Sequence, residues 1–340
     1  MTSLRGVAAL GVALAHFMGV AVLHRQYLWV DFFFILSGFI LTHAYRRLFG
    51  TKLTGHALKV FFKARFFRIF PLHYAMLLAL IVLELMKLAM DRPAFTGSNS
   101  LPMLGASILL LQNWLPDIGY SWNMPAWSIS VEMAAYLLFP FLLLFAFRKR
   151  IVTIGLMLTS IVCLLWRWRI EGGVMESPDV FRCVCEFFIG MAIYRAGPLI
   201  TVAGRAAALQ ILVFICLGAV FVTAVPDFFA IPLFAVLIGT LGTDRGVVAD
   251  FLKARPLRFL GLVSYSIYLV HFAVYQFFFL VDHRLLHDMM IKGDVLTKWG
   301  FAAFMMPFVV MVASVTYFFV EVPCREWGAR RFVRLKQVTA

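Results

Sequence analysis

LRGVAALGVALAHF, residues 4–17, is an apolar run that nevertheless carries an arginine near its start and a histidine near its end. In a helix Arg5 and His16 stand about three turns apart, about 16 Å along the axis, and both point to one face. They form a polar ladder across about half of a bilayer core. Apolar residues continue to Leu23, which gives the run the length of a membrane span. Arg5 followed by Ala13-Leu14-Ala15 resembles a signal peptide with a cleavage site, but the continuation past His16 favours an uncleaved span.

The rest of the chain agrees with that reading. Of 340 residues, 63% are hydrophobic and 14% charged, against about 45–50% and about 25% in an average soluble domain. The net charge of +14 raises the question of nucleic acid. The basic residues, however, sit at the ends of apolar runs and not interleaved with polar surface, the pattern of loops facing the cytoplasm and anionic lipid. No nucleic-acid partner is expected; the lipid bilayer is. The five cysteines lie mostly within apolar stretches and form no CxxC pair, so they read as soft packing and not as a disulfide or metal framework. No metal is expected.

Apolar runs of spanning length lie near 4–23, 28–45, 69–90, 127–147, 151–166, 180–197, 206–225, 228–243, 257–280 and 299–321. A further run, 101–114, is short for a crossing. Were it to cross, the basic 148–150 loop would lie outside; as a re-entrant or interfacial segment near 101–115 it leaves every strongly basic loop on one side. The expectation is therefore an all-α integral membrane protein of about ten transmembrane helices with both termini cytoplasmic, residues 1–323 forming one membrane domain and 324–340 a basic tail. That arrangement puts most of the 31 Lys and Arg residues inside. No loop is long enough to bury a separate core, and there is no internal repeat or low-complexity tract.

Ionisable groups at bilayer depth are costly unless paired or hydrated, so each is a candidate site. WVDFFFILSGF (29–39) places Asp31 near the start of the second span, as a helix-end charge or as the orienting partner of another group; Ser37 and Gly38 read as close helix packing. KARFFRIFPLHY (63–74) sets Arg65 and Arg68 on one helical face before Pro71 and His73. Such a pair anchors a cytoplasmic end or binds phosphate through its guanidinium forks. In WSISVEMAAYLLFP (127–140), Ser128, Glu132 and Tyr136 share a stripe. A hydrolase reading of Ser128 lacks a GxSxG elbow; Glu132 reads as a carboxylate in a polar cavity or as a structural ion-pair partner. Arg182 and Glu186 are spaced to pair with each other, as are Glu84 and Lys87. SYSIYLVHF (264–272) sets Ser264, Tyr268 and His271 roughly on one stripe, His271 being either a packed core histidine or a functional one.

Taken in order, LRGVAALGVALAHF, VDFFFILSGF, RFFRIFPLHY, WSISVEMAAYLLFP, RCVCEFFIGM, SYSIYLVHF and the closing Glu321-Val322-Pro323 resemble the successive motifs of the membrane acyltransferase-3 family. These are multi-span O-acyltransferases that modify bacterial polysaccharides, lipopolysaccharide, peptidoglycan and some small glycosides. The resemblance covers nearly the whole chain. It implies that Arg5 and His16 are essential, that Arg65 and Arg68 form a basic pair at the cytoplasmic mouth, and that Glu132 is the first acidic residue of a WSLSVEE-type motif whose second acidic position is Met133 here. The acidic residue and glycine that commonly precede LRG are not found at the start, and no soluble esterase-like domain is read, so extracytoplasmic handling of the acyl group is expected to fall to this domain or a partner.

The implied chemistry is attack of a sugar hydroxyl on a thioester. His16 is the expected base, with Glu132 or Asp31 orienting it or the acceptor, as the third member of a triad does. Arg5, Arg65 and Arg68 are expected to bind the phosphates of cytosolic acetyl-CoA or a related acyl-CoA, a co-substrate and not a bound cofactor. Ser128, Tyr136, Arg182, Glu186, Tyr268 and His271 are supporting polar residues. Direct transfer and transfer through an acyl-histidine both remain open, as do the acyl group and the acceptor. The expected setting is the inner (plasma) membrane, with polysaccharide biosynthesis or export proteins as partners. The competing readings are a proton-coupled solute transporter, which inverted repeats would favour, and a structural subunit of a polysaccharide export complex.

Overall fold

The computed structural model describes residues 1–18, 25–50, 52–114, 119–172, 179–197, 203–242, 246–281 and 293–332. Among these, regular structure is helical: α1 (Thr2–Met18), α2 (Leu28–Phe49), α3 (Gly55–Ala89), α4 (Leu101–Ile108), α5 (Ala126–Ala146), α6 (Arg150–Ile170), α7 (Val180–Ala196), α8 (Ala203–Val222), α9 (Ala230–Leu241), α10 (Val247–Phe251), α11 (Arg255–Leu262), α12 (Ser264–Val281), α13 (Val295–Thr316) and α14 (Val322–Phe332), with a π-helical turn at Tyr317–Glu321 between the last two. Helices are what a bilayer demands, because each backbone N–H and C=O must find its partner within the segment.

Seven helical stretches among the described residues are long and apolar enough to cross a membrane: α2, α3, α5, α6, Arg205–Val222, α12 and the continuous Val295–Arg331. Their outward side chains are apolar, as a hydrocarbon solvent requires: Ile151, Val162 and Trp166 on α6 are all more than 60% exposed. By its described residues the protein is thus a helical membrane protein. α1 and Asp227–Leu241 are apolar but shorter, and α7 has 17 residues. The continuation of the first span to Leu23, most of the 281–298 loop and the tail beyond residue 332 lie outside the described residues.

Two expected boundaries move. The span expected from residue 69 is the second half of the 35-residue α3, which runs through Pro71; the helix starts at Gly55, where the Thr54 hydroxyl accepts from the Ala57 N–H and caps it. The span expected over 257–280 is broken into α11 and α12, with Val263 between them. Residues 101–114 form only the eight-residue α4 followed by turns.

The chain divides into two compact units. The first comprises residues 1–12, 23–52 and 131–262. Its centre is the crossing of α2 and α7, where a Cβ on Gly38 would stand 1.9 Å from the Phe187 carbonyl oxygen and one on Gly190 would stand 1.9 Å from that of Ile35. Only glycines allow backbones this close, which is how helices associate where the solvent is as apolar as they are. The glycine of the LRG motif does the same work: a Cβ on Gly6 would stand 2.5 Å from the Leu260 carbonyl carbon of α11. The second unit comprises residues 13–22, 53–130 and 263–340, with α3, α4, α12, α13 and α14. In it the buried Glu84 accepts from Lys87 (2.6 Å), the Asn99 amide (2.7 Å) and the Phe95 N–H (2.8 Å), folding the segment after α3 around one carboxylate.

Candidate active site

In the second unit α1 and α12 bring two histidines into contact. His16 Nδ1 lies 2.9 Å from His271 Nε2, the rings nearly parallel at 9°. The other nitrogen of His271, Nδ1, lies 3.2 Å from the Ile267 carbonyl one helical turn back. A carbonyl only accepts, so His271 Nδ1 carries the proton and its Nε2 keeps the lone pair. His16 Nδ1–H therefore donates to His271 Nε2. The proton of neutral His16 is thereby placed on Nδ1, and Nε2 is left as a basic lone pair. His271 is fully buried and His16 only partly, with Phe17 set edge-on against both His271 and Phe301. The inner ring can therefore orient the outer one, which keeps part of its surface exposed.

The same helix extends the polar surface. Tyr268 lies edge-on to His271, and its hydroxyl is 2.8 Å from Ser128 Oγ. Ser128 Oγ donates to the Pro125 carbonyl at 3.2 Å, which leaves it to accept from Tyr268. Asn123 Nδ2 donates to the Leu269 carbonyl at 3.0 Å, two residues from His271.

In the first unit, Arg182 binds Asp31 through one terminal nitrogen and Glu186 through Nε at 3.2 Å. All three are buried. The expected Arg182–Glu186 pair is present but shared with Asp31; among these contacts Asp31 meets an arginine and not a histidine. Glu132 and Tyr136 also lie in this unit, Tyr136 buried and packed edge-on to Phe187. Next to the triad, Asp227 is buried and accepts from Tyr27 and, at 2.7 Å, from Trp168 Nε1.

Arg68, in the second unit, is paired with buried Glu321 at the π-helical turn and lies over the Tyr265 ring, 5.2 Å from its centroid. Ser266 Oγ donates to the other Glu321 oxygen at 3.1 Å. The guanidinium read as a phosphate ligand is thus tied to the acidic residue of the closing Glu-Val-Pro motif. Arg65 lies one turn earlier on α3. Arg5, near the start of α1, is partly buried. The first unit also holds a cavity of about 670 Å³ lined by Thr2, Ser3, His43, Tyr194, Lys253 and Arg258 among others, with Arg46 over the Tyr194 ring at 5.5 Å. No group of three or more His, Cys, Asp or Glu that could hold a metal occurs among the described residues, and all five cysteines are free.

Residues 1–319 match the acyltransferase-3 family model, described as an acyltransferase domain. The chain belongs to the acyltransferase-3 family. It is 25% identical over 311 residues to the peptidoglycan O-acetyltransferase OatA of Listeria monocytogenes, covering 80% of this chain and 49% of that one. To the acyltransferase MdmB of Streptomyces mycarofaciens it is 33% identical over 155 residues, 41% of this chain and 38% of that one. To protein 2 in the picA locus of Rhizobium radiobacter it is 45% identical over 86 residues, 24% and 42% of the two chains. The matched regions thus cover less than half of each of these relatives. No solved structure matches.

Sequence reading had Arg5 and His16 as a pair and His271 as a supporting residue; the contact between His16 and His271 bridges residues far apart in the chain and has no local signal. The closing Glu-Val-Pro motif gives Glu321 no partner by spacing. Asp227, in VPDFF, is not among the residues expected from sequence; its position as an acid between apolar runs is the signal that marks it.

Proposed function

We propose that this chain is a membrane O-acyltransferase that moves an acyl group, acetyl by default, from cytosolic acyl-CoA to a hydroxyl of a sugar or glycan. The observation that carries the reading is the His16–His271 pair in a member of an acyltransferase family. His16 Nε2 takes the proton of the acceptor hydroxyl as its oxygen bonds to the thioester carbonyl carbon. The C–S bond then breaks, and the proton passes from His16 to the departing thiolate, giving the ester and free CoA thiol. His271 holds the ring in the basic tautomer and accepts from Nδ1–H while His16 is charged. A base held in this way contributes about 10²- to 10⁴-fold.

The donor's phosphates are assigned to the basic residues of the first unit, Arg5 and the cavity carrying His43, Lys253 and Arg258. In the second unit Arg65 and Arg68 are assigned as the basic pair of α3, Arg68 holding α3 to the π-helical turn through its ion pair with Glu321. Asp31, Arg182 and Glu186 serve this scheme as a buried brace, and Glu132 as a carboxylate on the acceptor path. Ten spans, cytoplasmic termini and an inner-membrane location belong to the same proposal. The names of the relatives, one an acetyltransferase of peptidoglycan, support a glycan acceptor and an acetyl group. The test is transfer of radiolabel from acetyl-CoA to envelope glycans in membranes with and without the protein. Protein-dependent label in glycan supports the reading, and glycan uptake or export that needs no acyl-CoA overturns it.

A further inference from the structure

Among the described residues of the second unit, Gln112, Asn123 and His73 are buried side chains with polar atoms that the active-site chemistry above does not use. Gln112 is 1% exposed, and neither its amide nitrogen nor its oxygen has a hydrogen-bonding partner. Asn123, also 1% exposed, spends its nitrogen on the Leu269 carbonyl and leaves Oδ1 without one. His73 Nε2 lies 2.7 Å from the Ser107 carbonyl, so it is the protonated nitrogen, and buried Nδ1 is left with an unmatched lone pair. Buried polar groups are rarely left unpaired, and those that are call for a ligand or solvent.

His73 lies on α3, whereas Gln112 and Asn123 sit on turns that neighbouring side chains hold in place. The turn carrying Gln112 is clamped by Ser130, whose hydroxyl donates to the Leu110 carbonyl (2.7 Å) and whose carbonyl accepts from Trp114 Nε1 (2.8 Å). The loop carrying Asn123 is held by buried Trp122, whose ring N–H donates to Ser100 O (3.0 Å). Leu110 and Trp122 both have φ near +55°, a conformation costly for residues with a side chain. α4, which leads into the Gln112 turn, meets the Asn123 loop where Ser107 Oγ and Ser121 Oγ lie 3.1 Å apart. Asn123 in turn is bonded two residues from His271.

The unused set is one amide NH2 group, with two N–H donors, and three acceptors, all uncharged. Carboxamides that give and take at once suit hydroxyl groups, which do the same; with no cation among them, the set does not suit a phosphate or carboxylate. We propose that Gln112 and Asn123 bind ring hydroxyls of a neutral sugar acceptor and set acceptor specificity, with His73 accepting from a further hydroxyl. This rests on the reading of the acceptor as a sugar, but not on catalysis.

Binding is measured on purified, detergent-solubilised full-length protein by saturation-transfer NMR, with tetrasaccharides of glucose, galactose and N-acetylglucosamine as probes and acetyl-CoA in a parallel titration. Wild type is expected to bind at least one tetrasaccharide. Gln112→Met, close in shape but unable to make hydrogen bonds through an amide, is expected to weaken it about tenfold or more while acetyl-CoA binding stays unchanged. Asn123→Asp, which keeps the Oδ1 acceptor, separates binding through that oxygen from support of Leu269. Unchanged tetrasaccharide binding in a folded Gln112→Met protein, loss of acetyl-CoA binding instead, or no tetrasaccharide binding by wild type would each overturn the assignment. Because no donor or turnover is needed, a failure of acyl transfer is read separately.

Discussion

Replacing His271 by phenylalanine isolates the tautomer argument. The ring that is lost is fully buried beside Phe17, so phenylalanine fills a similar volume in an apolar setting. What disappears is the acceptor 2.9 Å from His16 Nδ1. Without it the His16 proton moves freely between the two nitrogens, and in the Nε2–H form the reacting nitrogen is a donor and not a base. Taking the lower part of the general-base range, kcat is expected to fall about 10²-fold, equivalent to about 2.7 kcal/mol in the barrier. His271→Gln, whose side-chain oxygen accepts a hydrogen bond, is expected to recover part of the loss. The assay is initial-rate acyl transfer from labelled acetyl-CoA with protein abundance equalised and the acetyl-CoA KM followed in parallel. A His271→Phe enzyme within about threefold of wild-type kcat, less than about 1 kcal/mol in the barrier, would refute the orienting role.

Two further expectations concern the scaffold. Gly190→Ala places a Cβ 1.9 Å from the Ile35 carbonyl oxygen, so α2 and α7 must part by roughly 1.5 Å to restore ordinary contact; the cost is expected near the top of the overpacking range of about 1–3 kcal/mol. Thermal unfolding in detergent reads it, and adding Gly38→Ala should cost less than a second full increment because one displacement relieves both clashes. Arg182→Met strands Asp31 and Glu186 and is expected to destabilise by about 3–5 kcal/mol; a variant that also carries Asp31→Asn and Glu186→Gln should regain most of that on the same assay, and failure to regain it would argue against an electrostatic brace.

The membrane class and most helices were legible because apolar run length is a local property: α2, α5, α6 and α7 begin and end within a few residues of the runs read from sequence. The long start of α3 was hidden because Lys59, Lys63, Arg65 and Arg68 interrupt the apolar residues of 55–68, so no uninterrupted apolar run marks that helix. Gly38 was legible as a packing residue from its place in mid-span, yet its counterpart Gly190 emerges only when α2 and α7 are laid together. The candidate site was readable as residue types and not as pairs. Arg182 and Glu186 are one turn apart and could be matched by spacing, whereas Asp31, His271 and Glu321 take partners from distant helices. Buried amides such as Gln112 carry no charge and no periodicity, so nothing in the 91–126 segment marked them.

The most direct test of the central claim is acyl transfer by His16→Ala. Membranes containing wild type or the variant at equal abundance are given radiolabelled acetyl-CoA, and label in envelope glycan is counted. If His16 Nε2 is the base, the wild type labels glycan and the variant loses about 10²-fold or more of the rate. Equal labelling by the two proteins would contradict it.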